Sequence, residues 1–381
     1  MRLSLYIHYP FCMRKCLYCA FNSVADAPCT PDEYGAGLLK EMELRRAALD
    51  FIPAAVALYF GGGTPSLMPP SLTSRLIETA ARLFHLAPDA EITIECNPGA
   101  ITRERLSDFR AAGVNRLSLG IQSFNDALLQ TIGRIHNGRE ALDAFHDARR
   151  AGFGNVGIDL IHSLPSQNNA MWEKDLLLAC SLRPEHLSVY GLTIEEGTSF
   201  AMMEKEGTLP LPDEDESAAM YETASEVLTA NGYEQYEIAN FALKGYRSAH
   251  NSGYWSRRNF LGFGAGAHSF LRFPGYGLRF SSPENSLEYL HSLKQGELPV
   301  AESRTLSRGD AMAEFLFLGL RTANGISLER FYREFSAGFD EVYGESCATL
   351  FSAGLLEIRK GHLRLTDRGR ILSNQVFVRF L

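Results

Sequence analysis

The sequence predicts an α/β fold: an open, partial TIM-type (β/α)6 barrel, followed by a smaller, mainly helical, winged-helix-like C-terminal domain. Three observations carry this expectation. Short apolar, β-branched runs alternate with amphipathic stretches through the first two-thirds of the chain. Polar or glycine residues stand late in successive runs, where a barrel gathers its functional groups into one mouth. From about residue 300 the order changes to helices leading into a strand, a turn, a second strand and a short helix.

The strand candidates, in order, are LSLYIHY (3–9), AVALYF (55–60), EITIEC (91–96), RLSLGI (116–121), NVGIDLI (155–161) and HLSVYGL (186–192). Segments between them, such as PDEYGAGLLKEMELRRAALD and NNAMWEKDLLLACSL, read as amphipathic helices. Strand–helix–strand units imply right-handed crossovers and a parallel sheet. Near-continuous apolar strands imply that both sheet faces are covered. Gly62, Gly63 and Thr64 follow the second strand, Glu95 ends the third and Gln122 the fourth; Asp159 lies in the fifth and Tyr190 in the sixth. A doubly wound sheet would concentrate such residues at one switch point. Six units fall short of the eight that close a barrel, hence an open one.

The barrel is expected over 1–240, a connecting segment over 241–300 and the C-terminal domain over 301–381. In the last, SRGDAMAEFLFLGLRT and SLERFYREF lead to LLEIRKGHLRLTDRGRIL, a strand, a turn at Lys360–Gly361, a strand and a helix capped near Thr366. Residues 300–381 hold 11 Lys/Arg against 10 Asp/Glu with no basic stripe, so this domain reads as a packing or lid domain and not as a nucleic-acid binder.

At 381 residues the chain has room for a large domain and a smaller one, and a net charge of -8 gives no general attraction for nucleic acid or anionic membranes. No run approaches the ~20 apolar residues of a membrane span, and MRLSLYIHYPF is too short and too interrupted for a signal peptide. The 7 cysteines are odd in number and clustered at one end, which fits a reducing, cytoplasmic compartment and not a disulfide framework. Cys96, Cys180 and Cys347 read as core residues, and Cys29 as structural. Cys12, Cys16 and Cys19, spaced C-x3-C-x2-C, suit zinc or an iron–sulfur cluster. Structural zinc needs a fourth protein ligand, for which the nearest candidates are His8 and Cys29. A cubane cluster on three cysteines leaves one iron open to an exogenous ligand, with Tyr18 and Phe21 placed to shield it.

CMRKCLYC resembles the signature of radical S-adenosylmethionine (SAM) proteins. Together with YIHYPF, YFGGGTPS, ECNPG, SLGIQSF, DLIHSLP and FLGFGAGAHS, it resembles the coproporphyrinogen dehydrogenase (HemN) superfamily along nearly the whole chain. The resemblance implies a [4Fe-4S] cluster on Cys12, Cys16 and Cys19 with SAM at the open iron. It also implies SAM contacts from Gly62, Gly63, Thr64, Glu95, Gln122, Arg134 and Asp159, with Tyr6 and Tyr18 flanking cluster and nucleoside. Carboxylates and amides suit ribose hydroxyls, and arginine suits a carboxylate. GGGTP is not a P-loop, since no Gly-Lys-Ser/Thr follows.

Within that superfamily three functions compete: a HemW-like heme chaperone, an oxygen-independent coproporphyrinogen III oxidase, and a related radical SAM methyltransferase. The oxidases resemble C-x3-C-x2-C-x-C, where this chain has Phe21, and they extend further ahead of the cluster. SAHNSGYW (248–255) matches the HNxxYW pattern of the chaperone branch, making His250 the candidate axial heme ligand and Tyr254 and Trp255 the wall of a flat macrocycle. The favoured reading is therefore a carrier of heme to an acceptor protein, without nucleic acid or a transmembrane segment, for which peripheral membrane contact stays open. DLIHSLPSQN departs from the usual DLI-Tyr-Gly-Leu-Pro-Gly-Gln at His162, Ser163 and Ser166, and VYGLTIE has Gly191 where relatives often carry glutamine. His162 is thereby an additional heme-ligand candidate.

Overall fold

The computed structural model describes residues 1–380 and contains all six anticipated strands. These are β1 (Arg2–Tyr9), β2 (Ala54–Gly62), β3 (Glu91–Cys96), β4 (Arg116–Gln122), β5 (Val156–His162) and β6 (His186–Gly191). They pair in chain order, every pair parallel. Their side chains alternate, as the pleat requires. Leu3, Leu5 and Ile7, Leu58 and Phe60, Leu117, Leu119 and Ile121, and Ile158 and Leu160 join the main hydrophobic core. That core lies under helices α1 (Pro31–Ala47), α2 (Pro70–Phe84), α3 (Arg103–Ala111), α5 (Gly138–Arg150), α6 (Asn169–Leu182) and α8 (Glu214–Ala230), while α4 (Asp126–Thr131) and α7 (Ser199–Lys205) pack in a separate, smaller cluster with Ile161 and Leu164. The alternate residues, among them Tyr6, Tyr59, Glu95, Arg116, Ser118, Asp159 and Ser188, line a cavity inside the curved sheet. The inner face is thus polar, unlike the apolar covering expected from the strands: only the outer face packs on helices, and the inner one borders a lumen.

The sheet extends beyond the six strands at both edges. On one side β7 (Glu234–Gln235) and β8 (Asn240–Ala242) add antiparallel to β6. On the other β9 (Asn259–Phe263) pairs parallel with β1, and β10 (His268–Leu271), β11 (Leu278–Ser281) and β12 (Glu302–Thr305) continue antiparallel. Between these edges runs the short helix α9 (Ala249–Trp255), and α10 (Ser286–Lys294) follows β11. Gly253 of α9 approaches so closely that an added Cβ would lie 3.1 Å from Ser4 Oγ near the start of β1. Helix α9 therefore closes the end of the barrel where the strands begin.

Helices α11 (Arg308–Leu320), α12 (Leu328–Phe335) and α13 (Phe339–Ser352), with β13 (Ile326–Ser327), β14 (Leu356–Arg359) and β15 (His362–Leu365), enclose a second core and give the winged-helix order. The charged side of α12 faces the barrel extension. Arg257, 2% exposed, pairs with Glu334 at 2.9 Å and Glu314 at 3.4 Å, while Arg272 reaches Glu334 at 2.6 Å. Among the described residues no helix is long and apolar enough to cross a membrane.

Candidate functional site

The lumen has a volume of about 670 Å³, within the range of small-molecule and cofactor sites. Its mouth is the loop after β1, which carries Cys12, Cys16 and Cys19; its floor is at the strand starts, with Arg116 on β4 and His250 on α9.

All three cysteines are free, partly exposed and on the lumen wall. Thr64 Oγ1 donates to Cys12 Sγ at 3.4 Å and Arg134 Nη1 to Cys16 Sγ at 3.6 Å. Donors aimed at sulfur suit thiolate ligands, so this set fits an iron–sulfur cluster. The two residues proposed to complete a zinc site are placed elsewhere. His8 Nε2 donates to the Asn22 carbonyl at 2.8 Å, which fixes the tautomer and leaves Nδ1 to accept from Tyr6 Oη at 3.0 Å. Cys29 packs against the main core, away from the lumen. Tyr18 lines the lumen beside the cysteines, while Phe21 is 68% exposed at its mouth.

The glycine run straps β2 to the cysteine loop. Gly63 N donates to Tyr9 O and Thr64 N to Phe11 O, each at 2.9 Å. Gly62 has φ +116°, and a Cβ on Gly63 would sit 2.8 Å from the Pro10–Phe11 backbone. Gly62 requires glycine for its positive φ and Gly63 for this approach, and both also border the lumen. Arg134 bridges the same region to β4, donating to Gly120 O as well as to Cys16.

Glu95, Gln122 and Asp159 converge on the lumen as expected. Tyr59 Oη donates to Glu95 Oε1 at 2.8 Å and Gly62 N to Oε2 at 3.3 Å. Burial pushes the Glu95 carboxyl up to about 7, with nearby Asp159 adding to the rise and the two hydrogen bonds opposing it. Asp159 accepts from Ser118 Oγ at 3.0 Å and is likewise raised by burial. Gln122 has φ +69°, just past a register shift in the β4–β5 pairing. This strained conformation re-aims the end of β4 at the lumen, and a non-glycine residue held there is a mark of functional sites. Tyr59, Arg116, Ser118 and Ser188 also line the lumen and were missed by the sequence reading. Period-two alternation, as in R-L-S-L-G-I-Q, is the signal that finds them.

On α9, His250 and Tyr254 face the lumen and Trp255 does not. His250 stacks on Tyr59 at 4.5 Å between ring centroids and meets the edge of Tyr254 at 4.6 Å. Neither ring nitrogen has a hydrogen-bond partner among the described residues, and burial holds the imidazole down to about 3, hence neutral. Trp255 is a correction to the expected aromatic wall. One residue further round the helix it turns toward the C-terminal domain, where Arg321 lies over its ring at 4.5 Å. His162 is also off the lumen, beside Trp172 with Nδ1 paired to Ser163 Oγ at 2.9 Å. Its ring would lie 3.2 Å from a Cβ on Gly191, so these two departures from the common pattern accommodate each other.

Comparison with known proteins agrees with this architecture. Residues 6–179 match the radical SAM superfamily and 306–372 the HemN C-terminal domain. The chain is 36% identical to the heme chaperone HemW of Lactococcus lactis, covering 99% of this chain and 97% of that protein. It is 35% identical to HemW of Bacillus subtilis, covering 99% of each. Mouse radical S-adenosyl methionine domain-containing protein 1, mitochondrial, is 34% identical over 100% of this chain and 87% of its own length. Among solved structures, coproporphyrinogen III oxidase (HemN) from Escherichia coli superposes with a TM-score of 0.84 over 99% of this chain and 89% of that one, at 24% identity, which establishes the shared fold. With its cysteine loop, barrel and C-terminal domain all matched, the chain belongs to the HemW family of radical SAM proteins.

Proposed function

We propose that this protein is a heme chaperone that binds heme in the lumen of a radical SAM barrel and delivers it to an acceptor protein. The observation that carries the reading is His250: a neutral imidazole without a partner, enclosed by Tyr6, Tyr59 and Tyr254, in the same lumen as the three cysteines. An uncharged imidazole nitrogen in an aromatic-lined cavity suits a heme iron and its flat ring. Full-length similarity to proteins named heme chaperones supports it.

In this assignment Cys12, Cys16 and Cys19 hold a [4Fe-4S] cluster. Tyr6, Tyr18, Gly62, Gly63, Thr64, Glu95, Gln122, Arg134 and Asp159 surround SAM, which would supply the ligand of the open iron. Tyr254 lies beside the heme at His250, and Trp255 anchors α9 from outside. Free cysteines suit a reducing, cytoplasmic setting. The charged seam between α12 and the barrel makes the C-terminal domain a packing module in this reading, not a nucleic-acid binder.

Two assays on the anaerobically reconstituted protein test the function. Heme-loaded protein mixed with an apo b-type cytochrome should transfer its heme. The same protein given coproporphyrinogen III, SAM and dithionite should release no carbon dioxide from the propionates. Decarboxylation without heme transfer would establish the oxidase reading in its place.

A further inference from the structure

The floor of the lumen holds a buried cation with almost nothing to bind. Arg116 is 2% exposed, and of its five N–H donors one makes a hydrogen bond among the described residues, a long contact of 3.4 Å from Nη1 to Thr93 Oγ1. Its nearest carboxylate is Glu91, 3.9 Å from Nε. That carboxylate is committed to α9: Oε1 accepts from Ala249 N at 3.0 Å and His250 N at 3.2 Å, and Oε2 accepts from Ala249 N at 3.1 Å. The carboxylates that line the lumen, Glu95, Asp159 and Glu195, form no ion pair with Arg116 within 4 Å. Burial raises Glu95 and Asp159, so these two oppose an incoming anion less than free carboxylates would. A guanidinium cannot neutralise itself by losing a proton, and a buried one is costly unless an anion or several acceptors meet it. His250 lies within its electrostatic reach, on the same lumen.

We propose that Arg116 is the carboxylate anchor of the lumen, taking a propionate of the macrocycle that His250 ligates. The anchor rests on the heme reading above and adds its specificity: the cargo is recognised as a free acid, not merely as a flat iron-bearing ring. A guanidinium presents paired N–H groups that match a carboxylate, which a neutral ester cannot replace.

The test compares heme with heme dimethyl ester, which has the same iron and ring without the charge, by Soret titration of the cluster-reconstituted full chain. The wild-type protein should bind the diacid about 10- to 100-fold more tightly, the range of a desolvated charge-assisted hydrogen bond. R116Q should bind the two alike and R116K should keep part of the preference. Equal wild-type affinities overturn the anchor while leaving heme binding intact; no Soret change with either compound overturns both. If R116Q weakens SAM binding and retains the preference for the diacid, the anchored carboxylate is that of SAM and the proposal fails. The wild-type comparison depends on no variant folding.

Discussion

At the scale of single residues, the lumen's chemistry follows from burial acting on a few titratable groups. The Glu95 carboxyl sits at about 7, above its ordinary value of about 4.3. Protonation of Glu95 therefore favours the folded apo protein, a contribution fully present below pH ~4.3 and lost as pH rises through about 7. SAM is a cation overall and, at the site proposed beside Glu95, would favour the ionised form. Its affinity should fall below pH 7 by up to about tenfold per unit, and Glu95→Gln should flatten that profile in anaerobic calorimetry. His250 behaves oppositely, since burial lowers it to about 3. Heme affinity should show no break between pH 6.5 and 5, whereas an exposed histidine ligand would protonate across that interval. Backbone strain offers a third check. Ser166 is exposed and holds φ +62°, so Ser166→Gly should raise the unfolding free energy by about 1 kcal/mol in urea denaturation.

At the scale of elements, α9 is the piece on which the proposed heme site depends. Seven residues cannot sustain a helix in water, and this one is held by Glu91 at its N-terminus and by Ser4 beneath Gly253. Glu91→Gln removes both the cap and the carboxylate nearest the buried Arg116, so it should cost about 3 kcal/mol of stability and speed hydrogen exchange of the α9 amides. It should also weaken heme several-fold without altering the cluster's absorption. The strands show what was legible beforehand. Six apolar runs located β1 to β6 within two residues at each end, because buried parallel strands announce themselves locally. The same runs are near-continuously apolar, which implies two covered faces and hides the lumen residues Tyr59, Arg116, Ser118 and Ser188. Strand β9 was hidden too: five residues in NFLGF become a parallel strand only by pairing with β1 some 250 residues away. Trp255 failed differently, since a motif places residues in sequence while a helix turns neighbours to different faces.

At the scale of the whole molecule, two cores are joined by buried charge. Arg257 bridges Glu314 and Glu334, and Arg272 and Arg279 complete the network between barrel extension and C-terminal domain. Removing one member leaves carboxylates uncompensated, so Arg257→Met should cost about 3 kcal/mol and separate the melting of the two domains in calorimetry. Trp255 and Arg321 lie on the same seam, which ties the helix carrying His250 to the C-terminal domain. The cysteines stand at one end of the lumen and His250 near the other, so cluster and heme are assigned to a single cavity. The most direct test of that account is heme titration of the anaerobically reconstituted protein beside His250→Ala. The Soret shift should saturate near one heme per chain and be weakened at least tenfold in the variant while the cluster's absorption stays unchanged. An identical shift in both proteins, or none in the wild type, would contradict it.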